Sequence, residues 1–282
     1  MSEVAIDHGV HVALPVIRRA PKPRAWQPAA YRLGGVIAAL VCWQWFASSS
    51  ELLSRLGGGF APANTASALI DFVRSGGLTT HALPSLFRVS VGLLLAVSIG
   101  IPIGVLVGRF APLSLATDAV FQFIRMTSPL AWMPLAILLL GVGAKPVFFL
   151  VAIAAVWPII INTAHGVRTI PTAWLQVVRM LGGGQLDTIR FAIVPAIVPD
   201  MLTGVRIAIG VSWLVLVPAE MLGVSSGMGY FLLDTRDRFA YDELMAGILV
   251  VGSMGFVSDL LIRMLYRRYS WRPDRETEGL DK

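Results

Sequence analysis

The sequence predicts an all-α protein: a polytopic bundle of about six membrane-spanning helices. Of its 282 residues, 56% are hydrophobic and only 14% are charged, and the mean hydropathy is +0.72. Soluble domains carry about 25% charged residues. Six segments are apolar over roughly the 20 residues that a helix needs to cross a bilayer. The single cysteine, Cys42, excludes an intrachain disulfide.

The predicted spans begin after an N-terminal tail of residues 1–30, which has no early apolar core. We therefore expect a retained anchor rather than a cleaved signal peptide. Pro129 and Pro134 interrupt the third span, which is predicted to be broken because proline removes a backbone donor. The spans are residues 31–50, 86–108, 113–141, 146–165, 196–222 and 243–265.

The connecting segments divide the chain further. Residues 31–84 combine the first span with an extracytoplasmic loop, in which PANTASALIDFVRSGG predicts a short amphipathic helix ended by Gly76 and Gly77 and lying flat on the outer surface. Residues 85–265 form the predicted core and residues 266–282 a C-terminal tail.

The distribution of lysine and arginine predicts the orientation. With the N-terminus inside, most basic residues fall on the inner side, including Arg109 and Arg125, whereas Arg88 falls outside. Both termini are therefore predicted to be cytoplasmic. Because the basic residues lie between apolar spans, we interpret them as topology signals of a chain surrounded by membrane lipid and not as a nucleic-acid-binding face.

A predicted cytoplasmic hairpin, residues 171–195, separates the fourth and fifth spans. Its first helix is expected to begin at an N-cap, Thr172, and to end at Gly182–Gly184, since glycine accepts left-handed geometry. A second helix is expected through residues 186–193, before Pro195 marks the entry to the fifth span. Apolar residues here have no bilayer to cover them, which indicates a protein partner.

The sequence contains no pattern typical of a catalytic or metal site. Its four histidines form no H-x-x-x-H pair, there is no G-x-S-x-G elbow, and no lysine has the preceding glycine of a phosphate-binding loop. We expect no catalytic residue, no metal ligand and no bound cofactor in this chain.

Charged residues inside predicted spans are costly and often functional. Arg206 is interpreted either as a cation lining a path for a small oxyanion or as an arginine buried against carbonyls or an acid. Glu220 is expected to contact substrate, to brace an outer gate, or to pair with Arg88, Arg236 or Arg238. Asp259 and Arg263 have the i, i+4 spacing of a structural helical pair.

The segment RMTSPLAWMP is the best candidate for lining a translocation path. A proline-broken segment frees backbone groups, and Arg125, Thr127, Ser128 and Pro129 contribute to it a charge, two hydroxyls and the break. The alternative is a kinked helix that faces lipid.

Small residues recur at every fourth position in two spans, and such stripes let helix backbones approach closely. They can pack within one subunit or against a second copy. They are Ala96, Gly100, Gly104 and Gly108 in the second span and Gly204, Ala208 and Ser212 in the fifth.

The hairpin resembles the cytoplasmic loop of ABC importer permeases, whose pattern is E-A-A, three residues, G, nine residues and I-x-L-P. Gln176 begins the stretch at the E-A-A position, Gly182 matches the glycine and Pro195 the proline. Further stretches resemble the nitrate/sulfonate/taurine/bicarbonate branch of these permeases, in order over residues 85–265: SLFRVSVGLLLAVSIGIPIGVLVGR, SPLAWMPLAILLLGVGAK, WPIIINTAHGVRTIP, PAIVPDMLTGVRIAIGVSWLVLVPAEML and SGMGYFLLDTRDRF.

The resemblance implies a type I importer permease with a methionine-importer-like fold in a bacterial inner membrane. It implies two permease copies, expected to be a homodimer, on two ATPase subunits that bind ATP and Mg, with an extracytoplasmic binding protein delivering a small anion. The hairpin would couple to the ATPase, although Gln176 replaces the family's usual acid there. The coupling residues implied are Gln176, Arg179, Leu181, Gly182, Gly183, Gly184 and Pro195.

Two other classes of function fit the sequence less well. An ion-coupled carrier or channel working without an ATPase would be expected to show inverted repeats and intramembrane acid chains, and neither is evident. A membrane enzyme is disfavoured because no catalytic pattern is present.

Overall fold

The computed structural model describes residues 27–49 and 59–269, and the predicted all-α class is confirmed over these ranges. Both predicted tails lie largely outside them. The helices are α1 (Gln27–Ser49), α2 (Pro62–Arg74), α3 (Leu83–Arg109), α4 (Ala111–Met126), α5 (Met133–Leu140), α6 (Ala144–Arg168), α7 (Thr172–Met180), α8 (Val194–Gly223), α9 (Met228–Asp237) and α10 (Tyr241–Tyr269).

Over the described residues, fewer segments than the predicted six have the length and hydropathy of a span. Four segments of the described chain are long and apolar enough to cross a membrane: Leu78–Arg109, Ala144–Arg168, Gln185–Gly223 and Tyr241–Met264. A bent pair, formed by α4 and the segment Pro129–Leu140, makes a fifth if it is counted as one span. The first predicted span is a shorter apolar helix, Leu33–Ser49, and residues 50–58 beyond it lie outside the described ranges.

The predicted break in the third span is confirmed. The two halves meet at 86°, and Thr127 and Ser128 between them have ψ values of 128° and 127°. A residue before proline is driven from helical to extended geometry, so Pro129 fixes the break at Ser128. A 3₁₀ turn, Pro129–Trp132, then leads into α5.

Close packing of α3 along α6 forms the centre of the bundle, and it uses the predicted small-residue stripe within one chain. A Cβ added at Gly104 would lie 2.6 Å from the Cβ of Thr163. The contacts advance in the same direction along both helices, so α3 and α6 run parallel. The pairs are Gly92 with Val151, Gly100 with Ile159, Gly104 with Thr163 and Gly108 with Val167.

The other side of α6 packs against α8, which runs antiparallel to it. A Cβ at Gly204 would lie 2.9 Å from the carbonyl oxygen of Pro158, and the amide of Gly143 donates to the carbonyl of Gly223 over 3.1 Å. We call the end of the bundle that holds Gly143 the Gly143 end. The opposite end, where α3 and α6 finish and α7 follows, is the Arg168 end.

The predicted amphipathic helix of the first loop is present as α2. Gly76 follows it with a φ of +81°, the left-handed geometry expected of a helix-ending glycine, whereas Gly77 is helical and leads into the next π-helical turn. Phe72 of α2 packs edge-on against Phe231 of α9, with ring centroids 5.0 Å apart. Its packing therefore attaches α2 to the bundle at the Gly143 end.

Candidate functional site

The break between α4 and α5 leaves a cavity of about 300 Å³ against α6 and α8, which we call the apolar cavity. Arg125, Thr127 and Pro129 of the predicted path line it, and Ser128 does not. Most of the wall is hydrocarbon. It is made by Ile124, Trp132, Ile153, Ala154, Trp157, Pro158, Ile161, Ile207 and Val211.

A second cavity of about 160 Å³, the charged cavity, adjoins the first and shares Arg125, Trp157 and Ile161 with it. Asp118 and Arg168 bring further charges to its wall. Because Arg168 ends α6, the charged cavity extends from the middle of α6 toward the Arg168 end. Arg125 therefore stands where the two cavities meet.

Arg125 lies at the level of the middle of α6 and not at its end. It borders Trp157 and Ile161, which lie roughly 10–16 Å from the end of α6 at 1.5 Å per residue. α4 starts at the Arg168 end and runs toward these residues, so the exposed Arg125 lies at the level of the middle of α6. Its Nη2 donates to Oε1 of Gln122 over 2.9 Å, and no described carboxylate lies within ion-pair distance of it.

Glu220 belongs to a buried ion pair, and its predicted pairing with Arg88 is confirmed. The side chain of Glu220 is 0% exposed, and its Oε1 lies 2.6 Å from Nη1 of Arg88. The hydroxyl of Ser85 and the amide of Gly229 donate to Oε2 over 2.8 and 2.9 Å. Arg88 also donates to the carbonyl and hydroxyl oxygens of Ser226. We call these five residues the buried node; Glu220 lines neither cavity.

The node joins elements that are distant in sequence. Arg88 lies on α3, Glu220 on α8, and Ser226 in the loop before α9. Gly227 follows with a φ of +106°, and a Cβ there would overlap Arg88 and Glu220. The other predicted partners of Glu220 pair elsewhere, Arg236 with Asp237 and Arg238 with Asp234 and Glu243.

Arg206 is also committed to an ion pair. Its Nε lies 3.1 Å from Oδ1 of Asp259 on α10, which matches the predicted alternative of an arginine against an acid, and it lines neither cavity. The predicted pair of Asp259 and Arg263 is present as well, at 2.6 Å. Sequence spacing identified the second contact but missed the first, since it joins two helices 53 positions apart.

The predicted first helix of the hairpin is present as α7. It begins at Thr172, with Pro171 at the cap position and no side-chain cap, so the prediction of Thr172 as N-cap was wrong by one residue. Gly182 ends the helix with a φ of +80°, and the amide of Gly183 donates to the carbonyl of Val178 over 2.9 Å. Asp187 then accepts from the amide of Gly184 over 2.9 Å.

The hairpin's second part is no separate helix. Residues 185–223 form one helical segment, in which a π-helical turn, Thr188–Ile193, runs directly into α8. Pro195 is the second residue of α8. The glycine turn is therefore connected to α8 without a break. Gln176, Arg179 and Pro195 are exposed, as are Met180, Leu181 and Leu186, at 85%, 83% and 80%.

Comparison with known proteins gives one family and several relatives. A family model described as "Binding-protein-dependent transport system inner membrane component" matches residues 100–271. The "Bicarbonate transport system permease protein CmpB" of Synechococcus elongatus is 36% identical over 245 residues, which cover 83% of this chain and 87% of the relative.

Two further relatives are similar over about two thirds of the chain or more. The "Nitrate import permease protein NrtB" of Leptolyngbya laminosa is 38% identical and covers 68% of this chain and 69% of its own. The "Putative aliphatic sulfonates transport permease protein SsuC" of Bacillus subtilis is 34% identical and covers 73% and 75%.

A solved structure shares the fold. A chain of the MetNI methionine ABC transporter, in an inward-facing conformation, superimposes with a TM-score of 0.56 at 16% identity. The superposition covers 67% of this chain and 94% of the other. The predicted methionine-importer-like fold is thereby confirmed.

Proposed function

This chain belongs to the family of binding-protein-dependent transport system inner membrane components, the permeases of ABC importers, and from that premise we propose that it forms the translocation path for a small anion. The relatives named above carry bicarbonate, nitrate or aliphatic sulfonates in their names. Each of these is an oxyanion, so the proposal needs a cation in the path.

Arg125 is the observation that carries the proposal. An unpaired charge at membrane depth is expensive unless it borders a water-filled cavity or a ligand. Two other arginines on helices of the bundle, Arg88 on α3 and Arg206 on α8, each have a carboxylate partner. Arg125 has none among the described residues and lies between two cavities. It is the group best placed to receive a passing anion.

The hairpin supports coupling to a partner ATPase. Its three most exposed apolar side chains, Met180, Leu181 and Leu186, cluster around the glycine turn beyond the Arg168 end. In the proposed orientation both termini and this turn are cytoplasmic, the ATPase docks there with its ATP and Mg, and a binding protein delivers substrate at the Gly143 end. A homodimer of permeases would complete the path, and this chain itself would perform no catalysis.

The unbroken helical segment from the glycine turn into α8 is suited to act as a lever. A displacement of the hairpin by the ATPase would pass into a single helical segment that runs from residue 185 to residue 223. That segment forms part of the apolar cavity through Ile207 and Val211. Movement at the ATPase would thus change the wall of the cavity directly.

The experiment is purification and reconstitution of the tagged chain. We expect an ATPase subunit to copurify, and uptake of anion into proteoliposomes to require that subunit, ATP and the binding protein. Arg125→Gln should reduce uptake at least tenfold, since a charge-assisted contact is worth about 1.5–3 kcal/mol. Arg109→Gln is the matched control, because Arg109 lies exposed at the end of α3 and lines neither cavity.

Two results would contradict the proposal. Transport by this chain without any ATPase would favour the ion-coupled carrier. Unchanged uptake by Arg125→Gln would remove Arg125 from the path.

A further inference from the structure

We propose that the apolar cavity is a selectivity site for an organic oxyanion, an alkyl or aryl sulfonate or carboxylate, whose charged group binds Arg125 and whose hydrocarbon part lies against Trp132, Trp157 and Ile207. This inference rests on the proposed transport of an anion and narrows it. The charged head of the ligand contacts the polar part of the cavity wall, and its hydrocarbon tail contacts the apolar part.

The size and chemistry of the cavity favour a ligand with a tail. Its volume of about 300 Å³ falls at the lower end of the range of roughly 300–1,000 Å³ for small-molecule pockets. Such pockets are mainly apolar and aromatic, with a few polar groups that fix orientation. A four-atom anion such as nitrate would leave most of this wall against water, whereas an alkyl chain would bury it.

The head group has one strong binding partner. The guanidinium of Arg125 has five N–H donors, of which one bonds to Gln122. The hydroxyl of Thr127 already donates to the carbonyl of Phe123 over 3.2 Å. The planar fork of arginine fits two oxygens of a sulfonate or carboxylate at once, so Arg125 holds the head.

The neighbouring cavity determines the direction in which the ligand lies. Asp118 and Arg168 line the charged cavity and not the apolar one, so a hydrocarbon tail placed there would lie against charged side chains. The charged cavity is also smaller, at about 160 Å³. A ligand with a tail is therefore most stable with that tail in the apolar cavity.

The test is a chain-length series measured on the purified complex of permease and ATPase without binding protein, since the binding protein would impose its own selectivity. Methane-, ethane-, propane-, butane- and pentanesulfonate, acetate to hexanoate, nitrate and bicarbonate are titrated by calorimetry. A methylene that is fully buried contributes about 0.8 kcal/mol, which is about fourfold in affinity. We expect binding to strengthen by about two- to fourfold per methylene and nitrate to bind most weakly.

Variants separate the head from the tail. Arg125→Gln should weaken every anion about tenfold or more and leave the dependence on chain length intact. Trp132→Ala should flatten that dependence and leave methanesulfonate unchanged, whereas Leu138→Ala, an 80% exposed residue on α5 outside the cavity wall, should change neither. Pentylammonium, which has the same tail and the opposite charge, measures partitioning into detergent and should not bind.

The results also distinguish a failure of the proposed selectivity site from a failure of the proposed transport function. Equal affinity for nitrate and pentanesulfonate, or a chain-length dependence that Trp132→Ala leaves unchanged, would overturn the selectivity site. Either result, alongside ATP-dependent anion uptake, would leave the proposed function standing. Uptake without an ATPase would overturn both the selectivity site and the proposed function.

Discussion

Replacing Glu220 by glutamine should destabilise the protein strongly, because the change removes one charge from the buried node. The shape of the side chain is retained, but Arg88, whose side chain is 8% exposed, keeps its charge without a counterion. Removing one partner of a buried ion pair costs about 3–5 kcal/mol. The new amide NH₂ also cannot accept from the Ser85 hydroxyl or the Gly229 amide, as Oε2 does now.

The expected effect is a large fall in melting temperature. At about 2–4 °C per kcal/mol for a protein of 150–250 residues, Glu220→Gln should lower it by roughly 6–20 °C. The assay is the thermal loss of the monodisperse peak on size-exclusion chromatography, measured in one detergent. Glu243→Gln is the matched control, since Glu243 pairs with Arg238 over 2.8 Å while both side chains stay 40–50% exposed, and such a pair contributes about 0–1 kcal/mol.

A double variant tests whether the pair itself is responsible. Arg88→Gln combined with Glu220→Gln should cost less than the sum of the two single changes, by about 2–3 kcal/mol. The reasoning would be refuted if Glu220→Gln melted within about 2 °C of Glu243→Gln, or if the single effects simply added.

Two further predictions concern glycines. Gly104→Leu should destabilise the bundle by about 1–3 kcal/mol, because the new side chain would separate α3 from Thr163; Gly210→Leu, which meets nothing within 4 Å, should be neutral in the same melting assay, and equal effects would contradict the packing argument. Gly182→Trp should leave membrane insertion intact and uncouple ATP hydrolysis from uptake, since Gly182 has a φ of +80° and left-handed geometry costs other residues about 1–2 kcal/mol. Gly141→Trp is its control, because Gly141 has a φ of +78° and open space around it but lies near the Gly143 end, outside the hairpin; unchanged coupling in Gly182→Trp would remove that position from the coupling element.

Local chemistry allowed much of the fold to be predicted. The break in the third span follows from Pro129, and the end of α7 from Gly182, since each depends on the backbone preferences of one residue. The pair of Asp259 and Arg263 follows from helical spacing. Each of these features depends only on residues that are close together in the sequence.

The contacts of the candidate site join residues that are distant in the sequence, so no local pattern predicts them. The partner of Arg206 is Asp259 on another helix, and only the packing of α8 on α10 brings them together. The place of Arg125 at the level of the middle of α6 was also not visible in the sequence, because the count of basic residues predicts a side of the membrane and not a depth. The roles of Arg125 and of the hairpin residues in transport stay predictions.

The parallel contact of α3 with α6 has a consequence for biogenesis. The glycines of α3 that form the groove are synthesised about sixty residues before the side chains of α6 that fill it. Neither α4 nor α5, which are made in between, supplies those side chains. Until α6 has been made, the groove of α3 lacks the side chains that fill it in the folded protein. A nascent chain arrested after α5 should therefore contain an inserted α3 that has not yet found its permanent neighbour.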